Sequence, residues 1–166
     1  MNAQRAEYLF QQLNVLLVDD NAFTRKIVRG LLNAIGVKSI TEAGDGIAAL
    51  EMIRAAPPDV IILDWEMPLL NGPELVRIVR SPGVFPVPDV PIIMLSAHGQ
   101  RWRIVESVKL GVNEFLCKPV SAKALLDRLV SILLNPRETV QFDGYYGPAP
   151  RQSAPIVDAV GKRRAI

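Results

Sequence analysis

Five short apolar runs constrain this chain most. They span residues 14–18, 37–41, 60–63, 91–95 and 112–117, and each is followed by a stretch with helical spacing. The central run, Val60-Ile61-Ile62-Leu63, has no polar position, so it reads as a strand buried on both faces. It stops on Asp64. A carboxylate is rarely found deep in a core without compensation, which puts Asp64 at the carboxyl end of its strand, on the sheet rim. Strands alternating with helices of this length imply a parallel sheet covered on both faces. Right-handed crossovers restrict the topology, and the expected architecture is a doubly wound five-stranded α/β sheet of order 2-1-3-4-5.

The punctuation between the runs agrees with this reading. Asn21 can cap a helix that Gly36 ends, and Asp45 can cap one that Pro57-Pro58 stop. Pro73 suits the first turn of a third helix, Gly111 closes a helix over 100–110, and Ser121 opens a last one that Asn135-Pro136 terminate. Residues 81–91 hold four prolines and read as a rigid loop inside the domain. The spacing of Ala3, Ala6, Leu9, Phe10 and Leu13 predicts an amphipathic helix, making 1–12 a helical extension of a domain over 13–135. Residues 136–166 carry turn formers, few periodic apolar residues and a basic end. They are expected to be extended or disordered, the alternative being that 142–148 pack back onto the domain or serve as a docking peptide.

Charge narrows the function classes. The formal net charge is +2, residues 1–135 are balanced, and the small excess lies in 136–166. No basic stripe suggests nucleic acid. No apolar stretch reaches membrane-spanning length, and no secretory pattern opens the chain, so no membrane is expected and a cytoplasmic location is. The single cysteine, Cys117, cannot form an intramolecular disulfide and reads as a small core residue.

In a parallel sheet all carboxyl ends share one rim. Four of the runs bring polar groups there: Asp19 and Asp20 after the first, Asp64 after the third, Ser96 after the fourth and Lys118 after the fifth. Three carboxylates facing one lysine repel one another, and a divalent cation relieves that. Hard oxygen donors favour Mg²⁺, completed by water and a phosphate. Lys118 and the Ser96 hydroxyl suit an anion beside the metal. The set describes phosphoryl transfer to a carboxylate.

These residues resemble the receiver domain of two-component response regulators, of the single-domain, chemotaxis-regulator-like kind. The likeness rests on Asp19-Asp20, on Asp64-Trp65-Glu66-Met67-Pro68 with Gly72 eight positions after the Asp, on Ser96-Ala97 and on Lys118-Pro119. It covers about residues 13–135. It implies a flavodoxin-like receiver fold in which Asp64 accepts a phosphoryl group from a histidine kinase or a histidine phosphotransferase. It implies Mg²⁺ held by Asp20, Asp64 and the Glu66 backbone carbonyl, with Asp19 acting through water, and a cis peptide before Pro119. Ser96 and Lys118 would contact the phosphoryl group, and Phe115 holds the place of an aromatic switch, or is a plain core phenylalanine. Glu66 and His98 fall where the family tunes phosphoryl loss; a lone histidine is otherwise structural or solvated.

The resemblance also implies output through the fourth helix, fifth strand and last helix of the domain. In the stretch 100–109, Ile104, Val105 and Val108 are expected against the sheet, leaving Arg101, Trp102 and Arg103 for the surface. A tryptophan between arginines is a typical hot-spot composition, so Trp102 with Arg101 is the expected partner-binding site, unless Trp102 is buried against the next helix. Trp65 is expected as a partly exposed lip residue. The implied function is a phosphorylation switch, not an enzyme beyond its own phosphorylation and dephosphorylation. It would act on a downstream protein or in a phosphorelay, as a monomer or a phosphorylation-dependent dimer. The competing readings are a metal-dependent phosphohydrolase with an aspartate nucleophile and a receiver-like scaffold that signals without phosphorylation.

Overall fold

A computed structural model describes residues 3–151. Strands β1 (Asn14–Val18), β2 (Ser39–Ala43), β3 (Val60–Asp64), β4 (Ile92–Ser96) and β5 (Glu114–Cys117) lie parallel in the order β2-β1-β3-β4-β5, the expected one. The register sets Val15 beside Val60, Asp64 beside Leu95 and Ser96 beside Cys117, so the carboxyl ends form one continuous rim.

The period-2 alternation divides each strand between two apolar layers. Leu16, Val18, Ile61, Leu63, Ile92 and Met94 meet α3 (Gly46–Ala55) and α4 (Gly72–Val79) through Ile53, Leu75, Val76 and Val79. Val15, Leu17, Ile62, Ile93, Leu95 and Leu116 meet α1 (Ala3–Gln12), α2 (Ala22–Ile35) and α6 (Ala122–Leu134) through Phe10, Val28, Leu32, Leu125 and Leu129. Each side chain of this kind stabilises the fold by about 1.5–3 kcal/mol when taken out of water. Asn21, Asp45, Asn71 and Ser121 each accept a backbone N–H at a helix start, and Asn71 forms a reciprocal capping box with Glu74. Among the described residues, no helix is long and apolar enough to cross a membrane.

Three strand starts differ from the sequence expectation. β4 begins at Ile92, one residue after Pro91. β2 begins at Ser39 because the Val37 N–H is taken by Leu32 O, closing α2. β5 begins at Glu114 because Val112 N–H likewise closes the preceding helix on Ser107 O.

That helix, α5 (Arg101–Leu110), turns a different face inward. Ile104, Val105 and Val108 are 41%, 42% and 57% exposed, while Ser107 is buried and Arg103 and Leu110 are half-buried. Positions 103, 107 and 110 form their own helical stripe. Arg103 stacks on Trp65 at one end of α5, and left-handed Gly111 (φ 90°) closes the other, which fixes the rotation.

The stretch after Pro136 departs most from expectation. β6 (Thr139–Phe142) and β7 (Tyr145–Pro148) form an antiparallel hairpin. Asp143 and Gly144 both have positive φ, the two-residue turn that matches strand twist. The hairpin lies on the end of α5: a Cβ on Gly147 would come within 2.7 Å of Gly111 Cα. Arg137 donates to Asn113 O (2.7 Å), and Arg151 pairs with buried Glu114. The hairpin buries little, but it has backbone pairing of its own and glycines that allow close approach. The remainder of the expected tail, 152–166, lies outside the described residues.

Candidate functional site

Strand geometry delivers the rim residues and hydrogen bonds hold them. Asp19, directly after β1, is 2% exposed, and its Oδ1 accepts Asn21 N–H (2.9 Å). β3 ends in Asp64, 6% exposed. Lys118 bridges the two: its Nζ donates to Asp19 Oδ2 (2.9 Å) and to Asp64 Oδ1 (3.0 Å). Asp20 is exposed, and one carboxylate oxygen each of Asp19, Asp20 and Asp64 lie within 4.8 Å of one another. The Lys118–Pro119 peptide is cis. The loop after Asp64 folds back against it, since a Cβ on Gly72 would lie 2.5 Å from Asp64 O. An open cleft of about 490 Å³ lies beside the carboxylates, lined by Asp20, Trp65, Glu66, Met67, Pro68 and Asn71.

The electrostatics follow from burial and crowding. Burial pushes the Asp64 carboxyl above its usual range, and the neighbouring Asp19 and Asp20 charges push it the same way, against the Lys118 hydrogen bond. Burial alone would lower Lys118, but its hydrogen bonds to Asp19 and Asp64 outweigh that and raise it. So the lysine is held charged beside a carboxyl whose charge is costly. Three hard oxygen donors at this spacing fit a divalent cation.

Ser96 stands on the neighbouring strand end, 1% exposed. Its Oγ accepts His98 N–H (3.1 Å) and Arg103 Nη1–H (3.2 Å). Arg103 also donates Nη2–H to Glu66 Oε1 at 2.7 Å, and His98 Nε2 lies 3.6 Å from the same oxygen. The Arg103 guanidinium lies 4.9 Å from the Trp65 ring centre and 5.1 Å from that of Trp102, whose rings meet edge to face at 6.0 Å.

Asp19, Asp20, Asp64, Ser96 and Lys118 therefore converge on the rim as expected, with Glu66 and His98 at its mouth. Phe115 is half-buried against the core. Arg101 is exposed and Trp102 is 58% exposed. Trp65 is not a lip residue: Arg103 and Trp102 cover it, and it is 8% exposed. Cys117 is not core. It takes the outward position after buried Leu116, where its thiol meets Gly99. The apolar spacing of Ile104, Val105 and Val108 puts Arg103 on the surface, yet it reaches the site. The signal in the sequence is Glu66, an acidic residue two positions after Asp64 that calls for a cation.

A parallel sheet of this order, with acidic residues on two central strands and a lysine on the edge strand, defines a response-regulator receiver. Residues 15–130 match the response regulator receiver domain family, and the chain belongs to it. The chemotaxis protein CheY1 of Helicobacter pylori is 35% identical over 122 residues, 73% of this chain and 97% of that protein. The solved structure of Vibrio cholerae CheY4 is 33% identical with a TM-score of 0.66, covering 73% of this chain and 98% of that one. The receiver domain of the Arabidopsis thaliana histidine kinase CKI1, solved with Mg²⁺ and BeF3⁻, is 28% identical with a TM-score of 0.63, covering 76% and 95%.

Proposed function

We propose that this chain is a phosphorylation switch whose acceptor is Asp64 and whose donor is the phosphohistidine of a histidine kinase or phosphotransferase. The observation that carries this is the Lys118 ammonium, bonded to Asp19 and Asp64 together at the sheet rim. An Asp64 oxygen attacks phosphorus as the N–P bond to the donor breaks and its electron pair returns to the imidazole. Lys118 stabilises the charge that builds on the phosphoryl oxygens, and Ser96 donates its hydroxyl to one of them. Asp20 and Asp64, with the Glu66 carbonyl, would hold Mg²⁺, and Asp19 would reach it through water; the ion supplies charge neutralisation at the acceptor. Glu66 and His98 tune loss of the phosphoryl group.

Engagement of Ser96 by phosphate shifts Phe115 and α5, changing the surface of α5, β5 and α6. Trp102 and Arg101 lie on that surface and serve as contacts for a downstream protein. The hairpin β6–β7 takes up its far end. Cytoplasmic signalling fits such a domain.

The test is incubation with Mg²⁺ and a small phosphodonor, followed by intact mass. The expected result is a gain of one phosphoryl group that Asp64→Ala abolishes. No gain in the wild type, or an equal gain in the variant, overturns the proposal.

A further inference from the structure

Arg103 is unusual for a surface-helix arginine. Its side chain is only 13% exposed, set in the corner of two perpendicular tryptophan rings, and its Nε is buried without an acceptor among the described residues. Burying a guanidinium costs energy that its two hydrogen bonds and two ring contacts offset in part. What these contacts accomplish follows from the valence of one oxygen. A serine hydroxyl accepts twice and donates once. Both acceptor positions of Ser96 Oγ are taken, by the His98 backbone N–H and by Arg103 Nη1. Its hydrogen is left without an acceptor among the described residues, and the guanidinium charge beside the oxygen strengthens it as a donor.

Arg103 also occupies Glu66. The Nη2–H bond at 2.7 Å neutralises a carboxylate at the mouth of the site, where a free negative charge would repel an incoming phosphoryl group.

We propose that Arg103 is a positioning residue for phosphoryl recognition: it fills the remaining acceptor site of Ser96, so that the hydroxyl presents only its hydrogen to an anion on Asp64, and it neutralises Glu66 beside that anion. The Trp65 and Trp102 rings, at right angles to each other, flank the guanidinium on two sides. This inference rests on the phosphoacceptor reading and assigns a residue outside the five rim positions to the same event.

The experiment is a fluorine-19 NMR titration of beryllofluoride in the presence of Mg²⁺, on the wild type, Arg103→Ala, Ser96→Ala and the double variant. Urea unfolding is recorded for each. Losing a charge-assisted hydrogen bond is expected to weaken binding by about tenfold in Arg103→Ala. In the Ser96→Ala background the same change is expected to cost less than about threefold, because its principal route is gone. Arg103→Lys, which keeps a charged donor without the two-pronged guanidinium, should recover part of the affinity. Urea midpoints of folded variants separate these effects from unfolding. An unchanged affinity in Arg103→Ala, or an equal loss with and without Ser96, overturns the inference. Failure of the wild type to bind beryllofluoride would instead overturn the phosphoacceptor reading itself.

Discussion

The edge strand β5 is flanked by two helices that are held in opposite ways. α6 buries Leu125, Leu129 and Ile132 against the sheet and is capped by Ser121. α5 buries only Ser107 along its length, exposes Ile104, Val105 and Val108, and has no side-chain cap at Gln100. α6 is anchored through its middle, α5 at its ends. At one end Arg103 and Trp102 engage Trp65 and Ser96 at the sheet rim. At the other, Gly111 meets Arg80 and the hairpin. A helix with few buried apolar contacts sits at the low end of local stability, the part of a fold that moves when a switch is thrown. The same strand can thus carry a rigid wall on one side and a movable element on the other.

The largest expected effect tests the rigid side. Leu129→Ala removes a fully buried side chain from the α6 layer and should cost about 2–5 kcal/mol in urea unfolding. If the loss were below about 1 kcal/mol, α6 would be no better anchored than α5 and the contrast would fail.

Next comes the anchor at the far end of α5. Arg80 is 6% exposed and donates to Gly111 O (2.9 Å), Pro88 O (2.7 Å), Val90 O (2.6 Å) and Asn113 Oδ1 (3.0 Å). Burial pushes its guanidinium down to about 10, which still leaves it charged at neutral pH. Arg80→Ala strands those acceptors, so the expected loss is about 3 kcal/mol. Hydrogen exchange at the end of α5 and in the hairpin should speed up with it. Unchanged exchange there would mean that α5 is not held by this end.

The site end is tested by pH. Asp64 binds its proton more tightly in the folded chain than in the unfolded one, since burial and the carboxylates of Asp19 and Asp20 raise it above 3.8. Below that value both states are protonated and the group contributes no difference. As pH rises through the window up to the folded pKa, the unfolded state ionises first and stability falls. Asp64→Asn removes this term. In metal-free buffer at neutral pH the variant should therefore be more stable than the wild type, and the advantage should vanish as pH drops below the ordinary aspartate range. A wild type more stable than the variant at neutral pH, with chelator present, would contradict the sign.

The sheet order was legible from the handedness of parallel crossovers, and the five rim residues from short-range rules: apolar runs, caps, and a polar residue where a buried strand stops. Asp19, Asp20, Asp64, Ser96 and Lys118 needed only strand ends to be placed. Arg103 was not legible, because the rotation of α5 is fixed by tertiary contacts at its two ends, against the apolar spacing of Ile104, Val105 and Val108. Cys117 was misplaced because the apolar run hid the alternation at the strand's last residue. The hairpin was legible in principle: Asp143-Gly144 between Phe142 and Tyr145 is a strong turn signal. Its proline and glycine content outweighed that signal, since disorder and a Gly-rich hairpin share a composition.

The smallest expected effect tests the movable side. Val108 is 57% exposed on α5, and its apolar surface contributes little to folding. Val108→Ser removes that surface, and the helix propensities of the two residues are close. The unfolding free energy should fall by no more than about 0.5 kcal/mol, with the urea slope unchanged. The same substitution at a position packed into the core would cost several times more, so the ratio of the Leu129 and Val108 losses measures how unequally β5 is flanked. A Val108→Ser loss near 2 kcal/mol would mean that α5 buries this face in solution. The exposed trio would then be internal packing, and output through α5 would have to use Trp102 and Arg101 alone.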